Sequence, residues 1–278
     1  MAIDWDTYHT GDIQSEYLYR FMSYERLLEF LDSRALYFAR MDQFEDKLEG
    51  ISAYHTSELT MFYPMTRPDF NWNPSLGKNV INDTKDKARK SVVNVASIVA
   101  NTQMAHWVSC WYHADRESMA MWSLYTKNKG FAIRFKRKQL QDHLRDTRHN
   151  QQFPAHIVAM IAGKIVYQDF QSIFRDERGN KLKYLSFRKD KSFEHEKEFR
   201  FVLASSISHE SNPLGLRFII PEPSGNLDFS IIANPILSFE EFSNVKTEIE
   251  QRYTKVKLLH SELEPWYQLK SIAQNFVS

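Results

Sequence analysis

The sequence predicts an α+β fold: a single domain with a central, mainly antiparallel β-sheet flanked by helices. Three observations lead there. The 278 residues contain no internal repeat, low-complexity tail or linker-like stretch, so one domain with a substantial core is expected. Strand-like apolar runs and capped amphipathic helices are mixed along the chain. Only 8 residues are glycine, which argues against a glycine-rich nucleotide fold.

The elements follow in order. "YLYRFM" (Tyr17–Met22) reads as a strand, and "SYERLLEFLDSR" as a helix capped by Ser23, with Glu25 at its positive end and an apolar stripe of Leu27, Leu28 and Leu31. "ALYFAR" closes this strand–helix–strand unit. "MDQFEDKLEGISAYHTSELTMF" begins as a loop and becomes helical, and residues 56–105 form an insertion with a proline-, asparagine- and tryptophan-rich excursion and then a helix over Asp83–Ala105. "HWVSCWYH" is a buried strand, "ESMAMWSLYTKNKG" a helix stopping at Gly130, and "FAIRFKR" a strand. Residues 138–162 read as helical and "GKIVYQDF" as a strand. "FEHEKEFRFVL" (Phe193–Leu203), "LGLRFIIP" and "DFSIIANP" are further strands. Ser238 and Glu241 form a capping-box pattern opening the last helix, and "KVKLLHSEL" is a closing strand.

Composition narrows the function. The net charge of +1 gives no global pull toward nucleic acid or an anionic membrane. A single cysteine, Cys110, excludes an internal disulfide and a cysteine-based structural zinc site. With no signal-like N-terminus and no apolar run near 18 residues, a cytoplasmic protein without a membrane span is expected. Zinc-protease, P-loop, nucleophile-elbow and dinucleotide fingerprints are all missing, and no metal is predicted.

The charged strand carries the sharpest signal. Strand alternation puts Glu194, Glu196, Glu198 and Arg200 on one face and Phe199, Phe201 and Leu203 on the other. The glutamate face reads either as a solvated, ion-paired surface or as an E-x-E pair with α-carbons roughly 7 Å apart, suited to stabilising an oxocarbenium-like centre. In "FEDKLEG", Asp46 and Glu49 are either a helix-start carboxylate and a surface acid or, functionally, a divalent-metal site or one wall of a cleft. A restriction-type nuclease would want a lysine beside the acids, but Lys197 falls on the opposite strand face. Cys110 reads as packing. The basic run from Lys181 to Lys191 is either a solvated loop or a phosphate contact. Tyr125 belongs either to the core or, near its helix end, to a cleft.

Taken together, "YLYRF", "LLEFLDSRALYFARMDQFEDKLEG", "CWY…MAMWSLYTKNKGFAIRF", "FEHEKEFRFVL" and "IIANPILSFEEF" resemble a bacterial family of unknown function, from about residue 17 to 250 with the insertion unmatched. A more distant resemblance is to ADP-ribosyltransferases of the arginine–serine–glutamate type. That resemblance implies NAD as substrate, with Arg20 on its phosphate and Ser109 and Tyr125 as further cofactor contacts. Glu198 would stabilise the transition state and Glu196 would orient the acceptor, with Asp46, Glu49 and Arg200 lining the cleft. It implies an effector that modifies a macromolecule, protein or nucleic acid, in a toxin or phage-defence setting. The alternatives are a non-catalytic binding or sensor module whose acids and arginine form a structural network and, third, a nuclease.

Overall fold

The computed structural model describes residues 2–10, 15–46, 49–126, 130–169, 181–220, 227–253, 256–264 and 269. The strands are β1 (Asp4–Tyr8), β2 (Tyr17–Ser23), β3 (Ala35–Arg40), β4 (His106–His113), β5 (Gly130–Lys136), β6 (Ile157–Lys164), β7 (Val166–Gln168), β8 (Arg188–Asp190), β9 (Glu198–Ser205), β10 (Gly215–Ile219), β11 (Phe229–Ala233) and β12 (Leu258–Leu259). The helices are α1 (Tyr24–Ser33), α2 (Ala53–Thr66), α3 (Lys78–Ala105), α4 (Met119–Thr126), α5 (Arg137–Thr147) and α6 (Phe239–Arg252). Lys47 and Leu48 of "FEDKLEG", Lys127–Lys129 of "ESMAMWSLYTKNKG", Phe170 of "GKIVYQDF" and Lys255 of "KVKLLHSEL" lie outside the described residues.

Ten strands form one sheet in the order β1-β6-β9-β4-β2-β5-β11-β12, with β3 on β4 and β10 on β3; β7 and β8 make a separate pair. Within the large sheet only β1–β6 and β11–β12 are parallel, so the α+β, mainly antiparallel expectation is met. Local chemistry sets the helix ends as read from sequence. Ser23 accepts from the Arg26 amide, and Ser238 with Glu241 makes both bonds of a capping box.

The differences have physical causes. β1 is an additional strand in what reads as a polar lead-in. Its core anchors are Ile3 just before it, Trp5, which packs against the large core, and Tyr8, which stacks on Tyr184 at 4.9 Å. The expected helix over 138–162 ends at Thr147, and Ile157–Lys164 is strand β6, an apolar run between β1 and β9 that lacks period-two alternation. The insertion is helical in both halves. Pro64 lies inside α2, where it lacks the amide that would bond the Thr60 carbonyl, and the helix stops two residues later at Thr66. Among the described residues no helix is long and apolar enough to cross a membrane.

The centre of the sheet is buried on both faces. Phe199, Phe201 and Leu203 of β9 join the large core with α1, α5 and α6, whereas Val202 and Ala204 join a second cluster with Tyr184 and Phe187. On one edge β4 pairs with β9. On its other edge it pairs with β3 at Val108 and Trp107, and with β2 at Tyr112 and His113. The sheet therefore forks, with the middle of β4 facing the gap between β2 and β3.

Gly163 of β6 stands opposite Tyr8 of β1, and a Cβ placed there would lie 2.2 Å from the Tyr8 carbonyl oxygen. Gly163→Ala is expected to displace β1 and cost about 1–3 kcal/mol of stability, the usual price of overpacking. Urea unfolding compared with the wild type measures it.

Candidate functional site

Five charged side chains meet on the side of the sheet away from α1, all of them buried. Lys189 of β8 places its Nζ 3.2 Å from Glu49 Oε1, 2.5 Å from Glu196 Oε2 and 3.0 Å from Glu198 Oε1. Arg200, fully buried, donates from Nε to Glu198 Oε2 at 2.5 Å and from Nη1 to the Ser186 carbonyl at 2.7 Å. Its Nη2 lies 2.7 Å from Glu49 Oε2, an ion-pair contact outside hydrogen-bonding geometry. Aromatic rings flank both cations, Phe193 at 4.6 Å from Lys189 Nζ and Phe44 at 5.6 Å from the Arg200 guanidinium.

Each member is positioned by its own local structure. Glu198 and Arg200 are two apart on β9 and so share a face. Glu196 is not on that strand. It ends a 3-10 segment, Lys191–Glu196, started by Asp190, whose side chain accepts from the Ser192 amide. Lys197 at φ 42° then turns the chain into β9. The E-x-E pair thus meets across a left-handed turn rather than along one strand face, and Glu194 lies outside it, exposed. Glu49 is delivered by the turn after Asp46, whose carbonyl accepts from the Glu49 amide at 3.5 Å. Gln103 of α3 donates to the Glu49 carbonyl at 2.9 Å, so the insertion helps to build the site. Tyr125, 47 % exposed, donates to Glu196 Oε1 at 3.1 Å, while Tyr167 accepts from the Glu198 amide at 2.7 Å.

Electrostatics separates the two neighbouring glutamates. Burial pushes Glu196 up, and its hydrogen bond to Glu198 adds to this, bringing it to about 7. Glu198 is driven up by burial too, but the charges of Arg200 and Lys189 overcome that and hold it well below the usual carboxylate range. Burial alone would lower Lys189; the carboxylates of Glu198 and Glu49 raise it above its ordinary value. With Glu196 protonated, two carboxylates balance two cations. Burial drives the Cys110 thiol up, away from a reactive thiolate.

Arg20 and Ser109 lie elsewhere. Paired residues on neighbouring strands share a face. Tyr112 and Cys110 oppose Glu198 and Arg200, so Ser109, one residue from Cys110, points to the other side. Tyr19 opposes Tyr112, which turns Arg20 to the Ser109 side. Arg20, Ser109 and Glu198 therefore do not share a cleft, contrary to the transferase arrangement expected from sequence. Tyr125 is with the glutamates, not with Arg20 and Ser109.

Arg20 instead spans the fork. Its Nη1 donates to the Tyr37 carbonyl of β3 at 3.1 Å and to Ser109 Oγ of β4 at 3.2 Å. Ser109 Oγ also accepts from Trp111 Nε1 at 3.1 Å. The gap encloses a cavity of 390 Å³ beside α1, into which Arg26 and Arg217 also face. Glu29 lines the cavity too and pairs with Arg217 at 2.7 Å. Burial holds the Arg20 guanidinium below its ordinary range, and the nearby positive charge of Arg26 adds to the effect. Arg20 and Ser109 were legible as candidates. Lys189 was seen only as part of a basic run, and Arg26 and Arg217 were missed, because cavity neighbours separated by 191 positions leave no spacing signal.

Residues 121–201 match the model of a family described as a protein of unknown function, DUF2971. That stretch contains Tyr125, Lys189, Glu196, Glu198 and Arg200, every member of the charged cluster except Glu49. No curated protein and no solved structure matches the chain.

Two outcomes follow. Glu198→Gln leaves Arg200 and Lys189 short of a buried partner and should cost about 3–5 kcal/mol; an unchanged urea midpoint would contradict the brace. The raised Glu196 works with the opposite sign to a paired carboxylate. Its contribution is complete below the unfolded value of 4.5 and is lost as pH rises to about 7. The stability difference between wild type and Glu196→Gln should therefore shrink across that window, read from thermal unfolding at stepped pH.

Proposed function

We propose that this chain is a non-catalytic binding module that takes a phosphate-bearing small ligand in the Arg20 cavity, with the charged cluster as its internal brace. The observation that carries the reading is the fork. A guanidinium is fixed there by a backbone carbonyl and a buried serine hydroxyl, and Arg26 and Arg217 line the same cavity against one acid, Glu29. An anion in the cavity meets this positive excess and a donor whose orientation is already set. The cluster across the sheet suits a brace better than a reaction centre, since Lys189 and Arg200 are occupied by Glu49, Glu196, Glu198 and the Ser186 carbonyl.

A second reading, transfer from NAD to a macromolecular acceptor in a toxin or phage-defence setting, is favoured by one observation. Glu196, raised to about 7, sits beside an ionised Glu198 and under the partly exposed Tyr125, the split expected of an acid–base pair. It would have to operate without Arg20 and Ser109, which the sheet turns away.

Titration with pyrophosphate, followed by melting temperature and calorimetry, tests the binding reading. Pyrophosphate should stabilise the wild type, and Arg20→Gln should weaken binding about 10- to 100-fold, the loss of charged hydrogen bonds worth roughly 1.5–3 kcal/mol. No stabilisation of the wild type, or equal binding by the variant, overturns it. Label transferred from NAD by the wild type and lost in a folded Glu196→Gln variant would favour the second reading.

A further inference from the structure

A second cavity, of 740 Å³, lies on the cluster side of the sheet, under the C-terminal end of α3. Its floor follows from strand register. Asp4 opposes Ala159, Ala159 opposes Ala204, and Ala204 opposes His106, one cross-strand row over β1, β6, β9 and β4. The row nearer the cluster is Asp6, Ile161, Val202 and Val108, whose branched residues pack into the apolar cluster. Two methyl side chains in the middle of the first row leave the space open. The floor is flat and apolar, with a carboxylate at one end and an imidazole at the other, about 14 Å apart by strand spacing.

The polar groups of the wall are mostly acceptors. His106 Nδ1 is 2.5 Å from Ser186 Oγ, the same residue whose carbonyl anchors Arg200. With Nδ1 held by Ser186, Nε2 is the ring nitrogen left for a ligand, as donor when the serine donates to Nδ1 and as acceptor when it accepts. Burial lowers the imidazole to about 4, so it is neutral near pH 7. Ser206 and Ser208 donate their hydroxyl protons to the carbonyls of His156 and Asn101, and their oxygens can still accept, whereas Ser205 Oγ both donates to the Ile207 carbonyl and accepts from the Ile207 amide. Lys183 is paired with Asp6 at 2.7 Å. Two carboxylates against one ammonium give the wall a negative balance, the reverse of the Arg20 cavity.

We infer that this cavity is a second binding site, for an uncharged ligand that carries a vicinal diol, as in the ribose of a nucleoside or the ring of a sugar. The hydroxyls donate to Asp4 and to the Ser206 and Ser208 oxygens, the ring lies on the Ala159 and Ala204 methyls, and His106 Nε2 hydrogen-bonds a ligand hydroxyl, which can donate or accept. Anionic ligands are turned away by Asp4 and Asp6. The site is independent of the Arg20 cavity, which opens on the other face of the sheet.

Adenosine and maltose, tested separately by saturation-transfer NMR and calorimetry on the full chain, distinguish the two sources of a diol. Binding of either probe to the wild type is expected, with adenosine alone marking a nucleoside site and maltose alone a glycan site. Ala204→Leu fills the floor and should abolish binding while circular dichroism shows a folded chain. Asp4→Asn, at an exposed position, should weaken binding about tenfold, the loss of one charge-assisted bond. The inference is overturned if neither probe binds the wild type, or if folded Ala204→Leu and Asp4→Asn both bind as the wild type does.

Discussion

An ammonium group buried among three glutamate side chains is the constraint on which much of this structure turns. Lys189 Nζ contacts Glu49, Glu196 and Glu198, and Arg200 joins two of the same acids from the other side. Removing such charges from water is expensive, and the arrangement is tolerable only because each has a close partner of opposite sign. Its members come from the turn before α2, from β8, from a 3-10 segment and from β9. The cluster therefore ties the insertion to the sheet and fixes where β9 begins. Ser186 extends it, with its carbonyl on Arg200 and its hydroxyl on His106.

The forked sheet sets the other half of the account. Because β4 pairs with β3 near one end and β2 near the other, its middle has no strand neighbour on that edge, and Arg20 bridges the gap with side-chain bonds. Adjacent residues of β4 consequently serve different environments. Cys110 sits against the charged cluster, and Ser109 holds the arginine of the fork. Two cavities of opposite electrostatic character result, one lined by arginines and one with an excess of carboxylates.

Much of the fold was legible because its signals are local. Ser23 and Ser238 cap helices through bonds within three residues, and the apolar face of β9 from Phe199 onward is plain in its alternation. β6 was read as helix because a strand covered on both faces loses its alternation, leaving "IVAMIAG" without a period to follow. Glu196, Glu198 and Arg200 were legible as a group, yet the turn between the glutamates was not. Its cause is Asp190 capping a short 3-10 segment and Lys197 in the left-handed region, a conformation rarely betrayed by a lysine. The separation of Arg20 and Ser109 from Glu198 depends on strand register between distant segments, which no single strand encodes. Lys189 was hidden for the same reason: a basic run reads as solvated until the acids that surround it are placed.

A double-mutant cycle between Lys189 and Glu49 tests the central claim most directly. Lys189→Met and Glu49→Gln, alone and together, would be compared by urea unfolding. If the buried cluster is one interacting unit, the double variant loses less than the sum of the single losses, with a coupling of about 0.5–3 kcal/mol. Losses that add to within about 0.5 kcal/mol would show that the two side chains act independently and would contradict the brace.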